Sequence, residues 1–149
     1  MMEGVIGGAP WVWTLPYENN YPRGKEFVEA FSARYEMRPS SSAASAYSIV
    51  YQYKEAVERA GTTNTADVIR ALEGHRYSFL KDEQYWREFD HQNVQSVYVV
   101  KVKPRDQVMA DEFASDYFEI IGSMAGDQAA QTQEEWEERR REAGKPLRL

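Results

Sequence analysis

The sequence predicts an α/β domain in which helices pack on a small sheet and a charged helix closes the chain. Three observations carry this reading. Apolar residues recur at helical spacing between Gly24 and Glu73, strand-like runs of β-branched and aromatic residues lie on either side, and the stretch after Gly126 is dense in charge.

A length of 149 residues with 42% hydrophobic content is sufficient for one real core. Four Trp, ten Tyr and six Phe supply much of it, each aromatic removing about 150 to 250 Å² from water when buried. The net charge of -6 gives no broad attraction for phosphate backbones or anionic lipid surfaces, so nucleic acid is not an expected partner. No run approaches the roughly 18 apolar residues of a membrane span. The start Met1-Met2-Glu3-Gly4 has no basic region followed by an apolar stretch, so no export signal is expected within this chain. The absence of Cys removes disulfides, thiolate metal sites and thiol nucleophiles, and leaves the compartment open.

Along the chain, Gly4 to Thr14 reads as a strand that ends in a bend, being apolar and interrupted by Gly and Pro. Leu15 to Arg23 collects Pro16, Asn19, Asn20 and Pro22 and reads as a loop, with a helix beginning near Gly24. Phe27, Val28, Phe31 and Tyr35 form the apolar face of that helix. Pro39 breaks it, Ser40 to Ser42 offer N-caps, and a second helix runs from Ala44 to Ala60 with Gly61 as its C-cap. Asn64 or Thr65 caps a third helix whose stripe is Val68, Ile69 and Leu72 and which stops at Gly74. Tyr77 and Phe79, then Tyr85 to Phe89, then Val97 to Val102 read as strands separated by charged turns. Phe113, Tyr117, Phe118, Ile120 and Ile121 form a last apolar cluster. The chain divides there into 1–121 and a tail, 122–149. From Asp127 onward the tail holds six acids and five bases around Trp136, which suits a solvated helix with pairs such as Glu135 and Arg139.

Little in these residues points to catalysis. His75, His91 and Asp90 fall short of the three or four convergent ligands a metal requires. Asp90-His91-Gln92 instead reads as a turn closed by side-chain to backbone bonds. No Gly-x-Ser-x-Gly elbow is present to expose a nucleophile. Gly4, Gly7 and Gly8 lack the spacing of a phosphate loop. No catalytic residue, metal or cofactor is therefore assigned. Trp11, Trp13 and Tyr17 stand beside a strand-to-loop exit, where aromatics either pack in the core, the commoner role, or wall a cleft for a small ligand. They are the candidate ligand-binding residues.

Taken together, Gly4-x-x-Gly7-x-x-Pro10-Trp11, Tyr21-Pro22-x-Gly24, Phe27-x-x-x-Phe31-x-x-x-Tyr35, Pro39-Ser40 and Ala43-x-x-Ala46-Tyr47 carry a resemblance. It continues through Ala56 to Gly61, Val68 to Gly74, Arg87-x-x-Asp90-His91-Gln92 and Val97 to Val102. In order and spacing these pieces resemble the C-terminal portion of type I periplasmic solute-binding proteins, the branched-chain amino acid, urea and short-amide family of ABC transporters. The resemblance runs over residues 4–121.

It implies a partial Venus-flytrap fold: the last strand of one lobe, a helical return into the other, and a final crossing strand. It implies a binding component without catalysis, working in the periplasm through a full-length parent that takes an amino acid, urea or small amide to a permease. The residues that grip the ligand's carboxylate and amine in that family lie mostly upstream and have no counterpart to carry over. Helices deprived of the remaining segments would expose apolar surface, which predicts self-association. A stand-alone protein-interaction module and an intracellular amide-sensing domain on the same fold are the alternatives.

Overall fold

A computed structural model describes residues 3–147. Met1, Met2, Arg148 and Leu149, which the reading above placed in the opening and the tail, lie outside the described residues.

The first strand, β1 (Ile6–Ala9), bends away at Pro10 as expected. The segment after it is not the loop expected over Leu15 to Arg23. Leu15–Glu18 forms a helical turn, α1, with the Thr14 carbonyl accepting from the N–H groups of Tyr17 (2.9 Å) and Glu18 (3.1 Å). Pro16 suits its first turn, where an N–H has no intrahelical partner. Leu15 anchors the turn by near-complete burial, worth about 1.5 to 3 kcal/mol.

Helix α2 (Pro22–Tyr35) starts two residues before Gly24, again with proline in its first turn, and buries Phe27, Val28 and Ser32. Gly24 is required by close approach. A Cβ there would overlap the carbonyl oxygen of Leu80 and come 2.7 Å from Pro16 Cγ.

Helix α3 (Ser41–Ala60) is capped by Ser40, whose Oγ accepts from the Ala43 N–H at 3.1 Å, and ends on Gly61 in the left-handed region, φ 66°. Helix α4 (Thr65–Leu72) is capped by the Asn64 side chain, which accepts from Ala66 and Asp67. These boundaries were legible because caps satisfy otherwise unpartnered backbone groups with few residue types.

The strands fall into two antiparallel sheets. The small one has the order β2 (Arg76–Tyr77), β3 (Gln84–Trp86), β4 (Asn93–Val94), with Tyr77 opposite Gln84 and Trp86 opposite Asn93. β2 ends at Tyr77, and Phe79 and Leu80 turn into the core instead of continuing the strand. β3 stops at Trp86, short of the expected Phe89, because Arg87 to Gln92 forms a turn. The Arg87 N–H donates to the Gln92 carbonyl, and Asp90 Oδ1 accepts from the Gln92 N–H at 3.1 Å. Asp90-His91-Gln92 is thus the expected turn, with His91 at φ 56°.

The larger sheet has the order β1, β5 (Val97–Val102), β6 (Phe118–Met124). β5 turns Tyr98 and Val100 into the core. β6 carries a register irregularity opposite Val99 and Val100. It passes through Gly122, so the division expected after residue 121 falls inside a strand. A short helix, α5 (Arg105–Ala110), joins β5 to β6.

The tail holds α6 (Gly126–Ala129) and α7 (Gln133–Glu142). α7 is not solvated all round: Trp136 is buried against Phe89, ring centroids 5.4 Å apart. Nor does Glu135 pair with Arg139. Its carboxylate is engaged in a capping box with Thr132, and the ion pair forms between Arg141 and Glu137 at 2.6 Å.

The core gathers Trp11, Val12, Leu15, Phe27, Val28, Phe79, Leu80, Tyr98 and Val100. It joins α1, α2 and the start of α3 to the inner face of β5. No helix among the described residues is long and apolar enough to cross a membrane.

Candidate functional site

A cavity of about 130 Å³ lies between α3 and the small sheet, with Trp11 at its edge. Three elements build it. The Ser40 cap starts α3 so that Ala44 and Ser48, one turn apart, share a face, with Ser45 and Ile49 beside them. The pairing of β2 with β3 sets Tyr77 against Gln84, and β3 and β4 add Trp86 and Asn93. The turn between β2 and β3 supplies Leu80 and Lys81.

A relay of hydrogen bonds organises the sheet side. Asn93 Nδ2 donates to the Tyr77 hydroxyl at 2.9 Å, and that hydroxyl donates to Gln84 Oε1 at 3.2 Å. Gln84 is buried with its carbonyl taken and its amide N–H groups left for another acceptor. Burial raises the Tyr77 phenol to about 12, against the hydrogen bond from Asn93, which lowers it.

Lys81 is the buried cation of this region, its side chain 2% exposed. Its ammonium donates to the carbonyls of Pro10 at 2.8 Å and Ser96 at 2.7 Å. These residues precede Trp11 and follow Gln95, both of which line the cavity. Asp82 Oδ1 stands 3.9 Å away, outside hydrogen-bond range. Burial lowers the Lys81 pKa to about 8, with Asp82 opposing the shift. The indole N–H groups of Trp11 and Trp86 are buried without a hydrogen-bond partner.

The three aromatics singled out from the sequence do not converge. Trp11 lines the cavity while packing edge-on to Phe27 in the core, centroids 5.9 Å apart. It therefore packs in the core and borders the cavity at once. Trp13 and Tyr17 pair with each other at 6.0 Å, and neither lines the cavity. Trp13 Nε1 donates to Asp116 at 3.0 Å, and Arg38 lies 4.3 Å over its ring. Tyr17 remains 41% exposed.

Of the histidines, His75 stacks on Tyr77 with its pKa lowered by burial, and His91 Nε2 meets Glu73 Oε1 at 2.9 Å. Among the described residues no group of three or more His, Cys, Asp or Glu is arranged to hold a metal.

Lys81 and Gln84 escaped the sequence reading. Both sit in a polar stretch that looks like a solvated turn, and the only cue to burial is the apolar pair Phe79-Leu80 just before them.

Comparison with known proteins places this geometry in context. The family described as periplasmic binding protein matches residues 1–107. A periplasmic binding protein from Burkholderia mallei is 25% identical with a TM-score of 0.75, the alignment covering 90% of this chain and 33% of that one. A branched chain amino acid ABC transporter periplasmic ligand-binding protein from Burkholderia xenovorans is 21% identical, also at TM-score 0.75, over 90% of this chain and 34% of that one. A leucine-, isoleucine-, valine-, threonine- and alanine-binding protein from Brucella ovis, in its closed conformation, is 22% identical at TM-score 0.69, over 88% and 33%. The chain spans about a third of the length of these structures. No curated protein matches it.

Proposed function

The chain belongs to the periplasmic binding protein family, and from that premise we propose that it is a solute-binding component of an ABC importer, corresponding to the C-terminal part of such a protein. It captures an amino acid, urea or small amide without transforming it, and a full-length parent would present that solute to the permease in the periplasm. The observation that carries the reading is the cavity between α3 and the small sheet. Its walls combine apolar surface from Trp11, Ile49, Leu80 and Trp86 with polar side chains such as Ser48, Gln84 and Asn93, which can fix the orientation of a small solute. Trp13 and Tyr17 do not line this cavity, and of the three aromatics we propose Trp11 alone as a ligand contact.

The test is a thermal-shift screen of the 149-residue chain against amino acids, urea, short amides and their carboxylic acid analogues. Selective binding at a hundredfold excess over Kd stabilises the native state by about 2.7 kcal/mol, which raises the melting temperature by several degrees. A cooperative melt that no solute shifts would sink the reading.

One set of observations favours a second reading, a protein-interaction module. Ile49, Val50 and Tyr53 on α3 are each more than half exposed, a contiguous apolar strip on a helix. In that reading the strip, and not the cavity, is the functional surface, and capture would survive substitution of the cavity walls other than Ile49, which belongs to both.

A further inference from the structure

We propose that the outer face of α2 and α3 docks a second copy of this chain, the two α2 helices crossing antiparallel about Ala30 so that Glu26 of each copy meets Arg34 of the other.

The surface is a groove of about 740 Å³ between the two helices. Phe31 and Tyr35 on α2 and Tyr47 and Tyr51 on α3 wall it, with the exposed Ala30 and Ala46 beside them. Tyr35 is more than half exposed, and Val50 and Tyr53 carry the apolar surface on along α3. Such a face on a two-helix layer is of the kind that marks an interface. Tyr47 and Tyr51 line the groove, whereas Ala44 and Ser48 line the cavity against the small sheet, so an occupant of the groove need not touch the solute cavity.

The charges select the occupant. Two copies of a chain of net charge -6 repel one another over most of their surface. The groove is the exception, because its charged residues are two bases and one acid, Arg23, Arg34 and Glu26. Arg23 is engaged within the chain, its guanidinium 4.0 Å over the Phe79 ring. Glu26 and Arg34 are exposed, and neither is in an ion pair among the described residues. They lie four positions before and four positions after Ala30, which puts all three on one side of α2 with the two charges about 12 Å apart along its axis. A two-fold axis through Ala30 carries each position before it onto the position equally far after it. Glu26 then faces the partner's Arg34, and the pair occurs twice, as an isologous interface requires. The small side chain of Ala30 lets the two helices approach at the axis.

The helices are 14 and 20 residues long. Side by side, with widths of about 10 Å, they offer roughly 400 to 500 Å² of face per copy. This reaches only the lower limit of a specific interface, about 1,000 Å² in total, so dissociation in the micromolar range is expected.

The experiment is sedimentation velocity of the 149-residue chain, of Glu26→Arg, of Arg34→Glu and of an equimolar mixture of the two variants, each from about 1 to 200 µM. Either reversal alone places two like-charged pairs in the dimer and is expected to weaken it about tenfold or more. The mixture restores two opposite-charge pairs in the mixed dimer, and association is expected to return to within about threefold of the parent. That recovery also shows that both variants are folded. A parent that stays monomeric throughout overturns the proposal and leaves the face to a different chain. Association that neither reversal weakens lies elsewhere, as at the free edge of β1, and overturns it too. Weakening in both variants that the mixture does not reverse overturns the antiparallel crossing at Ala30.

Discussion

The ammonium of Lys81 donates a 2.8 Å hydrogen bond to the carbonyl oxygen of Pro10, joining residues 71 positions apart. With the matching bond to Ser96, it ties the turn after β2 to the points where the chain leaves β1 and enters β5. One side chain thus holds the small sheet to the larger one at their junction.

Removing that tie should destabilise the fold. Lys81→Ala leaves two carbonyls without their donor and opens space in a buried position, so a loss of about 2 to 4 kcal/mol is expected. Urea denaturation of the two proteins measures it. A change below the error of the fit would show that water replaces the ammonium at no cost.

Stability should also follow Lys81 in its pH dependence. The folded chain gives up this proton above about pH 8, while the unfolded chain holds it to about 10.4. The unfolded state therefore binds more protons across that window, and the lysine's contribution to stability rises with pH, by up to about 3 kcal/mol. Tyr77, raised to about 12, and Tyr98, also raised, act in the opposite sense above pH 10, where the unfolded chain loses phenol protons that the folded chain keeps. Denaturation of the parent and Lys81→Met between pH 8 and 10 should show the rise in the parent alone.

Gly24 tests the close packing of α2. In Gly24→Ala the new methyl group meets the Leu80 carbonyl and Pro16 Cγ, neither the end of a flexible chain. Overpacking of this kind costs about 1 to 3 kcal/mol despite the better helix propensity of alanine. A thermal melt above that of the parent would contradict the geometry.

The capping box at Thr132 governs the tail. Thr132→Ala removes the bonds that organise the first turn of α7, an effect of about 0.5 to 2 kcal/mol. Because α7 docks through Trp136 on Phe89, the loss is expected to appear as faster hydrogen exchange in residues 133–142 with little change in α2 or α3.

Exposed apolar surface should drive association. Ile6, Ile49, Val50 and Tyr53 are each more than half exposed, and β1 is paired on one side only. Sedimentation velocity is expected to show a sedimentation coefficient that rises with concentration and to lose that dependence in Ile49→Glu. A concentration-independent monomer would remove this expectation.

The sequence by itself determined helices α2, α3 and α4 and strand β5. Ser40, Gly61 and Asn64 mark helix ends through local hydrogen bonds and backbone conformation, and Phe27, Phe31 and Tyr35 in α2 and Val68 and Leu72 in α4 repeat at a period that local geometry imposes. The order of those pieces was also enough to indicate the family. What the tertiary structure decided were elements too short to show a period, namely α1, β4 and α5, and the course of β6 through Gly122, where pairing with β5 overrides a change in composition. It also assembled the candidate cavity. Trp11 was visible as a candidate because aromatics beside a bend invite attention. Lys81 was not, because a charged residue in a turn is solvated unless distant carbonyls replace its water, and Pro10 and Ser96 reach it only once both sheets are in place.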